Sequence, residues 1–130
     1  MKARVILSFL AIAIIAGARD YPATVTAVYD GDTFTMDVDL GMGVVLVDQK
    51  IRLLFYDAPE VRGEEREQGL VVRDRVREMI LGKSVTLRTD DDKKGKYGRW
   101  LGEIIVITDE RELDLGSSLL EHGYVEKVDY

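Results

Sequence analysis

The chain has 130 residues, 46% hydrophobic and 32% charged, which fits one globular domain with its own core. It has no cysteine and a single histidine, which excludes a disulfide framework, a thiolate metal site and a multi-histidine zinc centre. Carboxylates are left as the natural metal ligands, and such oxygens suit calcium, magnesium or manganese. The formal net charge of -6 opposes non-specific binding of a polyanion, which is driven by phosphate contacts.

At the start of the chain, Lys2 and Arg4 precede an apolar run over residues 5–16, and Ala16-Gly17-Ala18 has the small-x-small pattern of a cleavage site. This layout predicts a secretory signal peptide over residues 1–18, followed by one domain over 19–130. The apolar stretch is shorter than the roughly 20 residues of a spanning helix, and no cysteine is available for a lipid anchor. The expected location is therefore secreted, periplasmic or at the cell surface, with no stable membrane association after processing. Loss of Lys2 and Arg4 would deepen the acid surplus by two. A polyanionic partner would then need bound cations and a local basic cluster, for which Lys93, Lys94, Lys96 and Arg99 form the densest candidate.

Residues 23–30 and 33–39 alternate and are rich in Thr and Val, as half-buried strands are. Asp30-Gly31 between them is a hairpin signal. Gly41-Met42-Gly43 reads as the next turn, before a strand region over 44–55. Pro59 interrupts regular structure and pushes Ala58 toward an extended conformation. Residues 64–81 read as a helix, with Val72, Val76, Met79 and Ile80 on one face and Arg73, Asp74, Arg77 and Glu78 on the other. Gly82 fits its end. A strand over 84–89, a charged loop over 90–98 and a strand over 99–108 follow. Asp109-Glu110-Arg111 reads as a turn, residues 116–122 as a short helix ending at Gly123, and 124–128 as a last extended stretch. Five strands with a helix inserted after the third, and a short helix near the C-terminus, predict an α+β fold: a small closed β-barrel of the OB type.

Three runs carry possible chemistry. Asp30-Gly31-Asp32-Thr33 could aim an Asp32 oxygen at a cation, although turn chemistry alone also explains an Asp-Gly-Asp run. In Arg52-Leu53-Leu54-Phe55-Tyr56-Asp57-Ala58-Pro59-Glu60 an arginine sits inside an apolar strand, where a guanidinium needs a partner or water. Pro59 stiffens the loop that presents the Asp57 carboxylate, the Ala58 carbonyl and the Glu60 carboxylate, and clustered acids are costly unless a cation neutralises them. In Lys96-Tyr97-Gly98-Arg99 the arginine could grip a phosphate bidentately, with a tyrosine hydroxyl and ring beside it; a solvated hairpin is the plainer alternative. His122 reads as a helix-end residue and not a catalytic one.

Together these runs, in this order around the same helix, resemble the thermonuclease (staphylococcal nuclease-like) family over nearly all of residues 23–130. Arg-x-x-x-x-Asp-x-Pro-Glu with Tyr-Gly-Arg downstream is the distinctive combination, and Leu119-Leu120-Glu121-His122-Gly123-Tyr124 is similar to the family's second helix and its exit. The resemblance implies a calcium-dependent nuclease on a five-stranded OB barrel, cutting DNA and RNA, preferably single-stranded or unwound, with little sequence preference and leaving 3′-phosphates. It makes Asp32, Asp57 and the Ala58 carbonyl the calcium ligands, and Glu60 the residue that orients or deprotonates the attacking water. It makes Arg52 and Arg99 the phosphate clamp. Tyr97, Lys96 and Tyr130 would contact the nucleotide, and Asp30 would support the site from behind. The family often has threonine where Ala58 stands, and it usually continues past the position of Tyr130 into a third helix. A monomer is expected. The alternatives are a non-catalytic OB module that binds nucleic acid or protein, and a structural calcium site on an adhesive domain.

Overall fold

Strand β1 (Ala18–Asp30) is the longest in the fold and serves two partners. Its first half pairs antiparallel with β5 (Ser84–Lys94), from Ala18 opposite Asp90 to Thr24 opposite Ser84. Its second half pairs with β2 (Thr33–Gly41), from Ala23 opposite Val38 to Asp30 opposite Thr33. A register shift between Val25 and Ala27 inserts Thr26 as an extra residue. That bulge resets the two-residue period, so Val25 and Val28 both face the core although they are three apart. In the computed structural model residues 18–94, 96–109 and 111–129 are described, except for the side chains of 18, 91–94 and 96. The leader expected over 1–18 thus falls almost wholly outside the described residues, as does Tyr130.

The remaining strands close a barrel. β3 (Val44–Leu53) pairs with β2, and its last residues, Ile51 to Leu53, pair in parallel with Trp100 to Gly102 of β6 (Trp100–Thr108). β6 pairs antiparallel with β5, which completes the ring β3-β2-β1-β5-β6. The architecture is the expected α+β OB-type barrel of five strands with two helices. One strand lies outside it: β7 (Arg111–Asp114) adds to the free edge of β6. A two-stranded pairing joins β4 (Tyr56–Asp57) to β8 (Glu126–Lys127). Among the described residues no helix is long and apolar enough to cross a membrane.

Helix α1 (Arg66–Ile80) follows a single 3₁₀ turn at Gly63–Glu65 and buries Gly69, Val72, Val76 and Ile80 against the barrel. Val72, Val76 and Ile80 are completely buried, and Met79 packs at the edge of the same cluster. Burying such a side chain contributes about 1.5–3 kcal/mol. Helix α2 (Leu115–Glu121) is capped by Asp114, whose carboxylate accepts from Ser117 N at 2.9 Å. It presses so closely on the Tyr56 ring that a Cβ at Gly116 would lie 2.3 Å from it.

Two boundaries differ from expectation. The charged stretch expected as a loop over 90–98 is strand as far as Lys94, because β1 pairs with it up to Asp90 and Lys94 pairs with Trp100 of β6. The turn expected at 109–111 is shorter than predicted, with Arg111 already opposite Thr108 in β7.

Candidate functional site

The β1–β2 turn places two carboxylates at one end of the barrel, both nearly buried: Asp30 is 6% exposed and Asp32 7%. Asp30 Oδ1 accepts the Asp32 backbone N–H at 3.0 Å, the Asx-type contact expected of a tight turn. Burial first, and then the neighbouring Asp32 carboxylate, push the Asp30 carboxyl up to about 7. Gly31 is required here by space. A Cβ would stand 2.7 Å from both Ala58 Cβ and Val72 Cγ1, so the turn lies directly against the Asp57–Ala58 loop and helix α1.

Asp32 is the junction. Its Oδ2 accepts from Ala58 N at 2.7 Å, its Oδ1 accepts from Thr33 Oγ1 at 3.0 Å, and its carbonyl accepts from Leu53 N at 2.9 Å. Three segments far apart in sequence are thereby tied together: the turn, the end of β3 and the loop before Pro59. Arg52, 8% exposed, fills the space between them. Its Nη1 donates to Leu53 O and Tyr56 O, each at 2.7 Å. Its Nη2 hydrogen-bonds Asp57 Oδ1 and stands 3.6 Å from Asp32 Oδ2. A guanidinium taken out of water needs partners of this kind. The β4–β8 pairing and the bond from Val128 N to Phe55 O at 2.8 Å hold the other side of the loop.

Glu60 is exposed and aimed by its backbone: its N–H donates to Glu65 Oε1 at 3.0 Å. Gly69 of α1 lies beneath the same segment, where a Cβ would come within 2.0 Å of Glu60 O. Arg99 and Tyr97 reach the cleft from the turn before β6. Tyr97 adopts φ 62°, a left-handed conformation uncommon for a non-glycine residue, and its ring lies 5.4 Å from the Arg99 guanidinium carbon in cation–π contact. Tyr97 is 86% exposed.

Asp30, Asp32, Arg52, Asp57, Ala58, Glu60, Tyr97 and Arg99 all line one cleft of about 610 Å³. The Lys96 side chain and Tyr130 lie outside the described residues. Sequence reading missed Tyr29, Glu65, Gln68 and Tyr124, which also line the cleft, and Gly69 behind it. A signal existed for part of this set. Glu65, Gln68 and Gly69 fall on the helical phase that continues to Val72, Val76 and Ile80, so they face the barrel one turn before the apolar stripe begins.

The donor set fits a hard cation. Asp32 and Asp57 converge on Arg52 Nη2, and their carboxylate oxygens are the ligand type a hard cation takes. Among the described residues the cleft carries six carboxylates (Asp30, Asp32, Asp57, Glu60, Glu65 and Glu126) against the two guanidiniums of Arg52 and Arg99. No three of the described acidic or histidine side chains stand close enough to enclose a metal by themselves. Main-chain and water oxygens would supply the rest of a coordination shell, as calcium and magnesium sites allow. The chain matches no protein-family profile and no curated protein.

Proposed function

We propose that this chain is a nuclease of the thermonuclease type, a metal-dependent phosphodiesterase acting on DNA and RNA with little sequence preference. The observation that carries the reading is the convergence of Asp32 and Asp57 on a single cationic nitrogen, in a cleft that also holds Glu60 and Arg99. Asp32, Asp57 and the Ala58 carbonyl would hold calcium, which when bound supplies Lewis-acid polarisation of a phosphoryl oxygen. A carbonyl ligand does not depend on the side chain at 58, so alanine there keeps that donor.

The chain's own residues do the rest. The Glu60 carboxylate accepts a proton from the attacking water, which adds to phosphorus as the opposite P–O5′ bond breaks; the departing 5′ oxygen takes a proton from solvent water to leave as a hydroxyl, and the phosphate stays on the 3′ side. The Arg52 guanidinium, oriented by the Leu53 and Tyr56 carbonyls, offers its charge to the phosphoryl oxygens. Arg99, which lines the same cleft, does so as well, with the exposed Tyr97 ring as a stacking platform for a base. Stacking tolerates any base, which suits cleavage without sequence preference. The excess of carboxylates in the cleft also explains why a polyanion would require a cation to bind.

Release of acid-soluble nucleotides from heat-denatured DNA, with calcium and then with excess chelator, tests the reading. Cleavage with calcium and none with chelator is expected. Cleavage that persists in chelator would sink the metal-dependent mechanism. A folded protein that binds DNA and cleaves it under neither condition would make the domain a binding module instead.

A further inference from the structure

The β2–β3 hairpin runs out beyond the barrel. From Asp39 to Asp48 every residue is exposed, although the stretch contains Leu40, Met42, Val44, Val45, Leu46 and Val47. Their exposures run from 38% to 102%. Apolar side chains therefore cover both faces of a two-stranded ribbon, and such a ribbon alone in water is at best marginally stable. Its backbone is nevertheless well fixed. Asp39 Oδ1 accepts from Gly41 N at 2.8 Å at the tip, and Asp37 Oδ1 accepts from Asp48 N at 2.9 Å at the base.

One edge of this ribbon is open. β3 bonds β2 along one side, but on its other side only Ile51 to Leu53 are paired, with β6. Among the described residues nothing pairs with residues 44–47 on that side. One β-bulge lies at its base, at Val47 and Asp48 (φ 54°) between Leu46 and Gln49, and a second lies on the β2 side, where Leu40 is the extra residue opposite Val44 and Val45, so along β3 itself Val44 to Leu46 run uninterrupted at the open edge. A partner must then supply two things together: backbone donors and acceptors along the edge, and apolar side chains on both faces. A strand supplies both. A bilayer leaves the edge N–H and C=O groups unsatisfied, at several kcal/mol each. Nucleic acid and anionic lipid are opposed by Asp37, Asp39 and Asp48, since no Lys or Arg lies between Asp37 and Gln49.

We propose that residues 44–47 of β3 are a self-complementary edge on which a second copy of the chain adds antiparallel, giving a two-fold dimer. A two-fold axis perpendicular to the ribbon sets residues of the same face opposite each other, so Val45 or Leu46 lies on the axis. With Val45 on the axis only Val, Leu and Gly stand opposite one another from 43 to 47; with Leu46 on it, Val44 faces Asp48 two residues from the axis. The two Asp48 side chains then stand at least four residues apart, about 13 Å. That exceeds the Debye length of about 8 Å at physiological ionic strength, so the acidic copies do not repel there. The six apolar residues leave roughly 600 Å² uncovered per copy, of which edge addition covers only the share along β3, so the pair falls below the size of a standard interface and is a weak dimer held chiefly by its edge hydrogen bonds. This state departs from the monomer expected from the sequence. The ribbon tip and the cleft lie at opposite ends of β2, so neither reading depends on the other.

Sedimentation velocity of the full chain at tens of micromolar tests the proposal, with vesicle flotation and oxidative cross-linking beside it. The expected species has twice the mass of the 14.7 kDa chain. Val45→Lys should weaken it by at least about 100-fold, because a charge would be buried at the axis, while Val71→Lys on the exposed face of α1 leaves it intact. The chain has no cysteine, so Val45→Cys or Leu46→Cys should give a single disulfide-linked dimer on mild oxidation, and Val71→Cys should not. A wild-type monomer throughout this range overturns the proposal. So does a dimer indifferent to Val45→Lys, and so does a monomer that floats with phosphatidylcholine vesicles, which assigns the ribbon to a bilayer. Nuclease activity should be unchanged in Val45→Lys.

Discussion

Gly69→Ala sets two physical effects against each other, and the structure says which wins. In an isolated helix alanine is favoured over glycine by about 1 kcal/mol, so helix propensity alone predicts a more stable protein. Here the added Cβ would stand 2.0 Å from Glu60 O, 2.5 Å from Glu60 C and 3.0 Å from Pro59 O. Carbon and oxygen rest at about 3.3 Å or more, so either α1 or the Glu60 segment must retreat by more than about 1 Å. Backbone, unlike a flexible side chain, gives way only with its hydrogen bonds, among them Glu60 N to Glu65 Oε1. Overpacking of this kind costs about 1–3 kcal/mol, which offsets or exceeds the propensity gain. On the proposed function the larger consequence falls on cleavage, since a shift of about 1 Å in a reacting group can lower turnover by about 100-fold. Thermal unfolding followed by circular dichroism, and hydrolysis of denatured DNA with calcium, measure the two effects. A variant with a raised Tm and wild-type activity would refute the claim that Gly69 is there to let the helix approach Glu60.

Other outcomes follow from the same geometry. Glu60→Ala should lower cleavage by at least about 100-fold with little change in Tm, because the side chain is exposed and general bases contribute on this scale; wild-type turnover in this variant would remove Glu60 from the mechanism. Arg52→Ala should cost about 2–3 kcal/mol in urea unfolding even without calcium, because it leaves the Leu53 and Tyr56 carbonyls without their charged donor; an unchanged midpoint would mean those bonds add nothing. Glu103 gives a pH dependence of fixed sign. Burial, and then the neighbouring Asp114, raise its carboxyl above the ordinary 4.5, so the stability it contributes is complete below that value and lost as pH rises through the raised one. Glu103→Gln should flatten that fall in Tm, and an identical slope in the variant would assign the loss elsewhere. Asp20 works in the opposite sense. Its bidentate pair with Arg88, at 2.7 and 2.9 Å, lowers its carboxyl, so the clasp between β1 and β5 weakens as pH falls through the lowered value and Asp20→Asn should blunt the acid limb of the Tm curve.

The barrel was legible because its strands and helix each carry a clean period. β2 alternates from Thr33 to Val38, and Val72, Val76 and Ile80 hold one helical face. What escaped reading was whatever depends on a partner strand. The first residues of β1 contain Pro22 and charged residues, with no alternation to mark them, and they are strand because β5 pairs with them. Asp90 is strand for the reciprocal reason, against the propensity of aspartate. β7 has four residues, too few for a period to show, and exists as an addition to the edge of β6.

The site divides along the same line. Residue type and spacing point to Arg52, Asp57 and Glu60, because an arginine is out of place inside an apolar strand and two acids crowd around Pro59, whereas Asp32 and Arg99 take their roles only from the family resemblance. Space and protonation were not readable. Asp30-Gly31-Asp32 is an ordinary turn as a string of letters; its weight comes from Ala58 and Val72 lying within 2.7 Å of the missing Gly31 side chain, which only the folded chain can specify. Counting letters likewise assigns that turn two full charges. Burial and the adjacent Asp32 carboxylate push the Asp30 carboxyl up to about 7, while Asp32 accepts from the Ala58 N–H and faces Arg52. The two aspartates are chemically unlike although the motif writes them alike. Asp30 lies behind, bonded to the turn itself, and Asp32 is the one turned toward Arg52 and the proposed calcium position, which is why a substitution at each should read differently: on the proposed function Asp32→Asn should abolish calcium-stimulated cleavage, and Asp30→Asn should preserve most of it, since Asn keeps the oxygen that accepts from Asp32 N. Equal losses in the two variants, measured at saturating calcium, would erase that distinction.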